Sequence, residues 1–142
     1  MAGASKVIDI DVSPADFFEV IRDYENYPAF LPDMEEVRIL SREGPVAEVE
    51  FTLNVIKRVT YILRLTEDPP CAGLHWELVE GMFKSNSGRW ILEALDNGGT
   101  RATYEVEVSV GIFVPGAIVN RLVGKTLPAT LQAFKSRAES LS

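Results

Sequence analysis

The chain has 142 residues, of which 46% are hydrophobic and 25% charged, and its formal net charge is −7. This length is typical of one domain, so we predict a single domain over residues 1–142 with a core of its own. The negative charge disfavours nucleic-acid phosphates and anionic membranes as partners. Because Cys71 is the only cysteine and His75 the only histidine, an intrachain disulfide is excluded and no metal centre or other cofactor is expected.

The cellular location is inferred from two further features of the sequence. No apolar run approaches the ~20 residues that a membrane-spanning helix requires, so no stable membrane insertion is expected. Residues 1–6 have no apolar core of the kind found in signal peptides. We therefore expect a cytoplasmic protein, and the sequence gives no indication of its oligomeric state.

The chain is predicted to begin with a strand and a short helix. Residues 6–12 alternate apolar and polar side chains, as a strand does. Ser13 then supplies a hydroxyl that can cap a helix, and Pro14 suits the first helical position. We expect this helix to end near Tyr24, because the prolines from Pro28 onward prevent its continuation.

The next segment, DYENYPAFLPDM at residues 23–34, combines two prolines with four large apolar or aromatic side chains. The prolines exclude a long helix or a central strand, so little regular hydrogen bonding within the segment is expected. Tyr24, Tyr27, Phe30 and Leu31 must therefore pack against the protein's own core or against a ligand beside it.

A series of strands is predicted next. From about residue 36 the hydrophobic period becomes two, and five successive segments between residues 47 and 112 alternate apolar and polar side chains. Turn-forming sequences such as Asp-Asn-Gly-Gly at residues 96–99 separate them. Together with the N-terminal strand and one that begins at Val37, they predict about seven strands in an antiparallel sheet with one solvated face.

A long C-terminal helix completes the predicted order of elements. Pro115 opens it, and Pro128 lies inside it, which predicts one kinked helix with local adjustment at Gly124. Its apolar stripe comprises Leu127, Leu131, Phe134, Ala138 and Leu141. About 26 residues span roughly 39 Å, enough to cross a strongly curved sheet. Where the sheet curves away from the helix, an apolar gap suited to a hydrophobic small molecule should remain.

The order of these elements, the DYENYPAFLPDM segment and the FKSNSGRW stretch at residues 83–90 together resemble one family. Over essentially its whole length, the chain resembles the START-like helix-grip superfamily that includes the Bet v 1 allergens, and within it the polyketide cyclase/dehydrase and coenzyme-Q-binding branch. The resemblance implies an α+β helix-grip fold, with a seven-stranded curved antiparallel sheet wrapped on a long C-terminal helix and short helices between strands 1 and 2. It also implies a lipid, an isoprenoid quinone or a polyketide-like aromatic as ligand.

Inward-facing strand residues, with neighbours from the 23–34 segment and the C-terminal helix, form the candidate cavity lining. They are Phe30, Leu31, Phe51, Tyr61, Leu63, Trp76, Trp90, Tyr104, Val106, Ile118 and Leu122. Tyrosine and tryptophan combine a large apolar surface with one polar group, so they could enclose a ligand and donate a hydrogen bond to its carbonyl. Ordinary core packing is the alternative for each residue. Tyr24 and Tyr27 are expected only to plug the end of the sheet, and an inward Asn86 would need a partner, which a ligand or water could supply.

The sequence favours binding over catalysis. His75 falls on the outward phase of its strand, and no serine has the context of a nucleophile, so no catalytic residue is assigned. Arg64 and Arg89 also fall on the outward phase, where Arg89 could pair with Glu77 or Glu93. The residues on the inward phase offer tyrosines but no histidine or carboxylate.

Three functions remain open at this stage. The first is binding of a hydrophobic small molecule in a cavity between the sheet and the C-terminal helix. The second is a polyketide cyclase, aromatase or dehydratase that uses the same cavity, which requires an acid or base inside it. An arginine or carboxylate pointing into the cavity would favour this enzyme. The third is a protein-interaction module without a ligand, which a solid core and a large exposed apolar patch would favour.

Overall fold

Seven antiparallel strands form one sheet in the computed structural model, which describes residues 2–31, 33–55, 57–68, 72–81, 83–110 and 127–141. The strands are β1 (Ala2–Ile10), β2 (Met34–Glu43), β3 (Val46–Val55), β4 (Lys57–Asp68), β5 (Gly73–Gly81), β6 (Phe83–Ala94) and β7 (Thr100–Val110). Within the described residues they are accompanied by helix α1 (Pro14–Ile21), a 3₁₀ helix (Tyr24–Ala29) and helix α2 (Leu127–Leu141). This arrangement confirms the predicted α+β helix-grip fold.

The order of strands in the sheet is β1-β7-β6-β5-β4-β3-β2, so β1 and β2 lie at opposite edges although they are close in sequence. The segment that contains α1 and the 3₁₀ helix connects these two edges. The register shifts between Ile39 and Ser41 in β2, where one strand gains an extra residue. A second shift lies between Ile62 and Leu63 in β4. Such irregularities bend strands and increase their twist, which curves the sheet.

Helix α1 begins where the sequence predicts. The side-chain oxygen of Ser13 accepts a hydrogen bond from the backbone N–H of Asp16 at 3.2 Å, and a proline occupies the first helical position. The helix ends earlier than predicted, at Ile21 rather than near Tyr24. Phe17 and Ile21 have no exposed surface, so α1 is anchored to the core from Phe17 to its end.

The segment at residues 23–34 is more regular than predicted. A 3₁₀ helix spans Tyr24–Ala29 with Pro28 inside it. The backbone N–H of Phe30 then donates to the carbonyl of Tyr27 at 3.2 Å. A short 3₁₀ helix has few i→i+3 hydrogen bonds, so a proline that lacks an N–H removes only one of them. The expectation of little regular hydrogen bonding here was therefore wrong.

Helix α2 packs on the core through Leu131, Phe134 and Ala138, each of which is at most 4% exposed. Leu141 was predicted to continue this stripe, but it is 63% exposed. It lies in the last turn, in a surface groove beside α1, where the helix has passed the core. The predicted helix start at Pro115, the predicted kink at Gly124 and the side chain of Leu127 lie outside the described residues.

Polar contacts fix the end of α2 against the end of β1. Lys135 Nζ donates to the backbone carbonyl of Asp9 at 2.7 Å and lies 3.0 Å from the Glu139 carboxylate. That carboxylate also accepts a hydrogen bond from the backbone N–H of Asp11 at 2.9 Å. The helix is thereby held at one edge of the sheet. None of the described helices has the length and apolar character needed to cross a lipid bilayer.

Candidate functional site: an apolar cavity between the sheet and helix α2

The apolar face of the sheet and α2 border a cavity of about 170 Å³. Strands β3 to β7, α2 and the residues around the start of β2 form its wall. The predicted residues found in this wall are Leu31, Phe51, Tyr61, Leu63, Trp76, Trp90, Tyr104 and Val106. Ile118 and Leu122 lie outside the described residues. That any of these side chains contacts a ligand remains a prediction.

Phe30 was predicted to line the cavity but lies behind its wall. Its ring meets those of Tyr27 and Phe134 edge to face, with centroid distances of 6.0 and 5.2 Å. The Arg137 guanidinium lies 5.4 Å from the centroid of the Phe30 ring, and Phe30 also borders two surface grooves. Phe30 therefore supports the wall from the solvent side and is not part of the described lining.

The structure adds several lining residues that alternation along the strands also places inward. Leu53, Leu65, Leu74 and Val108 share the inward phase of their strands with the predicted residues. Tyr27, expected only to plug the end of the sheet, lines the cavity as well, as do Thr130 and Phe134 of α2. The one carboxylate among the described lining residues is that of Asp33, which is half-buried. It lies in a segment without strand or helix periodicity, so no pattern could have indicated its direction.

Trp90 is the centre of an aromatic cluster in this wall. Its ring meets those of Phe17, Tyr104 and Phe134 edge to face, at centroid distances of 5.4, 4.8 and 5.4 Å. Such contacts add favourable energy to the apolar area that the rings bury. They join α1, β7 and α2 to β6, so Trp90 serves the core as well as the cavity.

The tyrosines that line the cavity are held in their neutral form by burial. Burial raises the pKa of Tyr27 well above its ordinary value of 10 and also raises the pKa of Tyr61 and Tyr104. The Tyr27 hydroxyl donates a hydrogen bond to the backbone carbonyl of Ile21. Because a neutral phenol is a poor base, these residues cannot remove a proton from a ligand at neutral pH.

A buried hydrogen bond joins two polar groups of the wall. The indole Nε1–H of Trp76 donates to Oδ1 of Asn86 at 3.2 Å, and Asn86 is 8% exposed. The asparagine therefore does lie on the inward side, and the protein itself supplies the partner of its oxygen. Gly88 makes this possible, because a Cβ at this position would lie 2.5 Å from Cζ2 of the indole.

Arg64 and Arg89 are exposed, as their outward phase predicted, and each pairs with a carboxylate. Arg64 lies 2.9 Å from Glu77, and Arg89 forms an ion pair with Glu105. The prediction that Arg89 pairs with Glu77 or Glu93 was wrong. Glu105 lies directly opposite Arg89 on β7, and directly opposed side chains are the closest neighbours in an antiparallel pair.

The remaining candidate for chemistry, His75, also lies away from the cavity. Its side chain is exposed, as its phase predicted, and Nδ1 lies 3.0 Å from Oδ1 of Asp68. Across the described ranges, no three residues of the types His, Cys, Asp and Glu are grouped so that they could hold a metal ion.

A curved antiparallel sheet closed by a C-terminal helix over an apolar cavity defines a START-like helix-grip domain. Residues 10–135 match the family model described as "Polyketide cyclase / dehydrase and lipid transport". The chain belongs to this family.

Known proteins resemble the chain over nearly its full length. The ribosome association toxin RatA of Vibrio cholerae is 24% identical over 144 residues, which cover 99% of this chain and 98% of the toxin. A START superfamily protein from Mycobacterium smegmatis has a TM-score of 0.85 at 23% identity, with 99% of both chains covered. The Zhui aromatase/cyclase of Streptomyces sp. R1128 has a TM-score of 0.88 at 19% identity, with 97% of this chain and 93% of the enzyme covered. At these identities the structural matches establish the fold.

Proposed function

We propose that the chain binds one hydrophobic small molecule in the cavity between its sheet and α2. The observation that carries this proposal is the cavity itself, bordered by aliphatic and aromatic side chains with few polar groups among them. Moving apolar surface of a ligand from water into such a site contributes about 0.8 kcal/mol for each CH₂ group. A small number of polar groups can then fix the orientation of the ligand.

The size of the cavity bears on the class of ligand. About 170 Å³ is slightly more than the roughly 150 Å³ cavity that holds benzene, and less than the range of roughly 300–1,000 Å³ typical for larger ligands. A compact aromatic therefore fits with little rearrangement. A long lipid or an isoprenoid quinone would require Leu31 and its neighbours, or α2, to move away from the sheet. Among the three ligand classes, we favour the polyketide-like aromatic.

Binding can be tested with one probe from each ligand class: acetylnaphthalene, decanoic acid and farnesol. Leu63, in the cavity wall, and Leu40, which is 48% exposed on β2, provide a matched pair of variants. We expect the wild type and Leu40→Phe to bind acetylnaphthalene with one-to-one stoichiometry by calorimetry. Leu63→Phe should weaken binding at least tenfold, because the new ring occupies the ligand's space. Equal affinity in Leu63→Phe, or binding of none of the probes by the wild type, would overturn the proposal.

A cyclase or aromatase that uses the same cavity is the second candidate, and the presence of Asp33 in the wall favours it. A carboxylate there could act as the base for aldol closure of a poly-ketone chain. Its test is the rate of closure of a short synthetic poly-β-ketone, with Asp33→Asn compared with Asp23→Asn on the exposed surface. Acceleration by the wild type that only Asp33→Asn abolishes would establish this activity. If the wild type does not accelerate ring closure, the cyclase is excluded and ligand binding remains the proposed function.

The third candidate, a protein-interaction module, has less support. The large hydrophobic residues exposed in the described part of the chain are Val7, Leu40, Val79 and Leu141. They belong to β1, β2, β5 and α2, and β1 and β2 are opposite edges of the sheet. They therefore cannot form the single contiguous apolar patch that a partner surface requires.

A further inference from the structure

Asn86 places an amide in a wall formed mainly by aliphatic and aromatic side chains. It lies on β6 opposite Val108 of β7, and both side chains line the cavity. Asn86 is 92% buried, since 8% of its surface is exposed. A buried amide lowers stability unless its polar atoms find partners, so each atom of this group must be accounted for.

The hydrogen bond from Trp76 determines which way the amide faces. An indole N–H can only donate, so the Asn86 atom that lies 3.2 Å from it must be the carbonyl oxygen. The NH₂ group is therefore directed elsewhere. No described residue accepts a hydrogen bond from Asn86 Nδ2, so within the described part of the wall this donor is available to a ligand.

The tryptophan that sets this orientation is itself held in place. Trp76 on β5 pairs with Gly88 on β6, and the indole lies so close to Gly88 that a Cβ there would be 2.5 Å from Cζ2. The ring of Tyr104 also packs against the indole, with 5.4 Å between the ring centroids. The amide orientation is thus fixed before any ligand arrives, which reduces the entropy lost on binding.

We propose that Asn86 is a specificity-determining residue that selects hydrophobic ligands carrying a neutral hydrogen-bond acceptor, with a carbonyl as the preferred group. This inference rests on the proposed binding function. A pure hydrocarbon would displace the water available to Nδ2 and leave the donor unpaired, whereas a ligand carbonyl replaces that water. A ligand carboxylate is disfavoured, because the described wall holds no arginine or lysine to offset the cost of burying its charge.

The test compares acetylnaphthalene with ethylnaphthalene, which have the same ring and a side chain of similar length and differ in the carbonyl. The measured quantity is the ratio of their dissociation constants, obtained for each compound by isothermal titration calorimetry. For the wild type we expect acetylnaphthalene to bind about tenfold more tightly, the contribution of one buried hydrogen bond. In Asn86→Leu the ratio should fall to about one or invert. In Leu63→Val, the matched control in the same wall, both constants should change together and the ratio should remain.

Each outcome has a separate meaning. If both compounds bind the wild type with equal affinity, Asn86 does not select a carbonyl, although the proposed binding function stands. If neither compound binds, the proposed function itself fails. If Asn86→Leu does not fold, the inference can be tested by NMR on the wild type alone. The side-chain ¹⁵N amide signal of Asn86 should then shift more with acetylnaphthalene than with ethylnaphthalene. Equal shifts would overturn the inference.

Discussion

Phe134 of α2 and Trp90 of β6 meet edge to face, with ring centroids 5.4 Å apart and planes at 76°. This contact is a point where the helix touches the apolar face of the sheet. Thr130 lies one turn before Phe134 and lines the cavity, so the helix and sheet enclose open space on that side. A curved sheet and a straight helix cannot remain in contact along their whole length, which is the physical origin of the cavity.

A larger side chain should cost less stability at a position that lines the cavity than at a position in the solid core. Leu63 lines the cavity, whereas its cross-strand partner Val49 is fully buried and does not. We expect Leu63→Phe to change the free energy of unfolding by less than about 1 kcal/mol. Val49→Leu should destabilise by about 1–3 kcal/mol, because it overpacks a dense region. Urea unfolding measures both values, and equal losses would show that no usable space exists beside Leu63.

The two tyrosines of the 3₁₀ helix should respond differently to loss of their hydroxyls. The Tyr24 hydroxyl is buried without a described hydrogen-bond partner, so Tyr24→Phe should be neutral or slightly stabilising. Tyr27→Phe removes the hydrogen bond to the Ile21 carbonyl and should destabilise by about 1–3 kcal/mol. The midpoints of chemical unfolding check this order. If Tyr24→Phe were the more damaging variant, its hydroxyl would have a partner such as a buried water.

Stability in acid should depend on Glu139. Its hydrogen bond from the Asp11 N–H, with that from Lys135, holds the pKa of the Glu139 carboxyl below its ordinary value of 4.5. A carboxyl whose pKa is lower in the folded state stabilises the fold above its unfolded pKa, and this contribution is lost as the pH falls through the folded value. Glu139→Gln should therefore be less stable than the wild type at pH 7, with a difference that shrinks from about pH 4.5 downward.

The control for this pH dependence is Glu25→Gln, since Glu25 is exposed and has no described ion pair. Thermal unfolding midpoints of the wild type and both variants between pH 3 and 7 provide the comparison. A constant difference between Glu139→Gln and the wild type over this range would contradict the assignment.

Gly88→Ala should disturb the cavity wall as well as the fold. The added methyl group would lie 2.3 Å from the Glu105 carbonyl oxygen and 2.5 Å from the Trp76 indole, so the backbone or the indole must move. We expect a loss of about 1–3 kcal/mol in the free energy of unfolding. We also expect a shift in tryptophan fluorescence, because the environment of the indole changes. An unchanged emission spectrum would indicate that the indole is not held by this contact.

The net negative charge of this chain should prevent it from binding ribosomes, whose RNA is rich in phosphate. RatA of Vibrio cholerae is described as a ribosome association toxin, but a net charge of −7 disfavours docking on ribosomal RNA. We expect the chain to stay in the supernatant when ribosomes are sedimented at moderate salt. Salt-sensitive cosedimentation with stoichiometric ribosomes would show that a local surface overrides the net charge.

The sequence alone predicted the sheet and much of the cavity wall. Alternation along β3 and β4 placed Phe51, Tyr61 and Leu63 inward because a strand has a strict period of two. The cap at Ser13 predicted the start of α1 for an equally local reason. Such features depend on neighbouring residues and are readable without knowledge of tertiary contacts.

Other features depend on contacts that are remote in sequence. The placement of Phe30 behind the wall depends on Phe134, a residue more than one hundred positions away. The direction of the Asn86 amide depends on Trp76 and could not be inferred from alternation alone. Asp33 comes after a proline in a segment without periodicity, so its place in the wall emerged only from the three-dimensional structure.

The most direct test of the cavity is to locate a bound ligand by nuclear Overhauser contacts in solution. With methyl-labelled protein and acetylnaphthalene, we predict contacts from the aromatic protons of the ligand to the methyl groups of Leu63, Leu65 and Val108. These methyl groups lie on β4 and β7 and converge only inside the cavity. Contacts confined to exposed methyl groups such as those of Val7 and Leu40 would contradict internal binding.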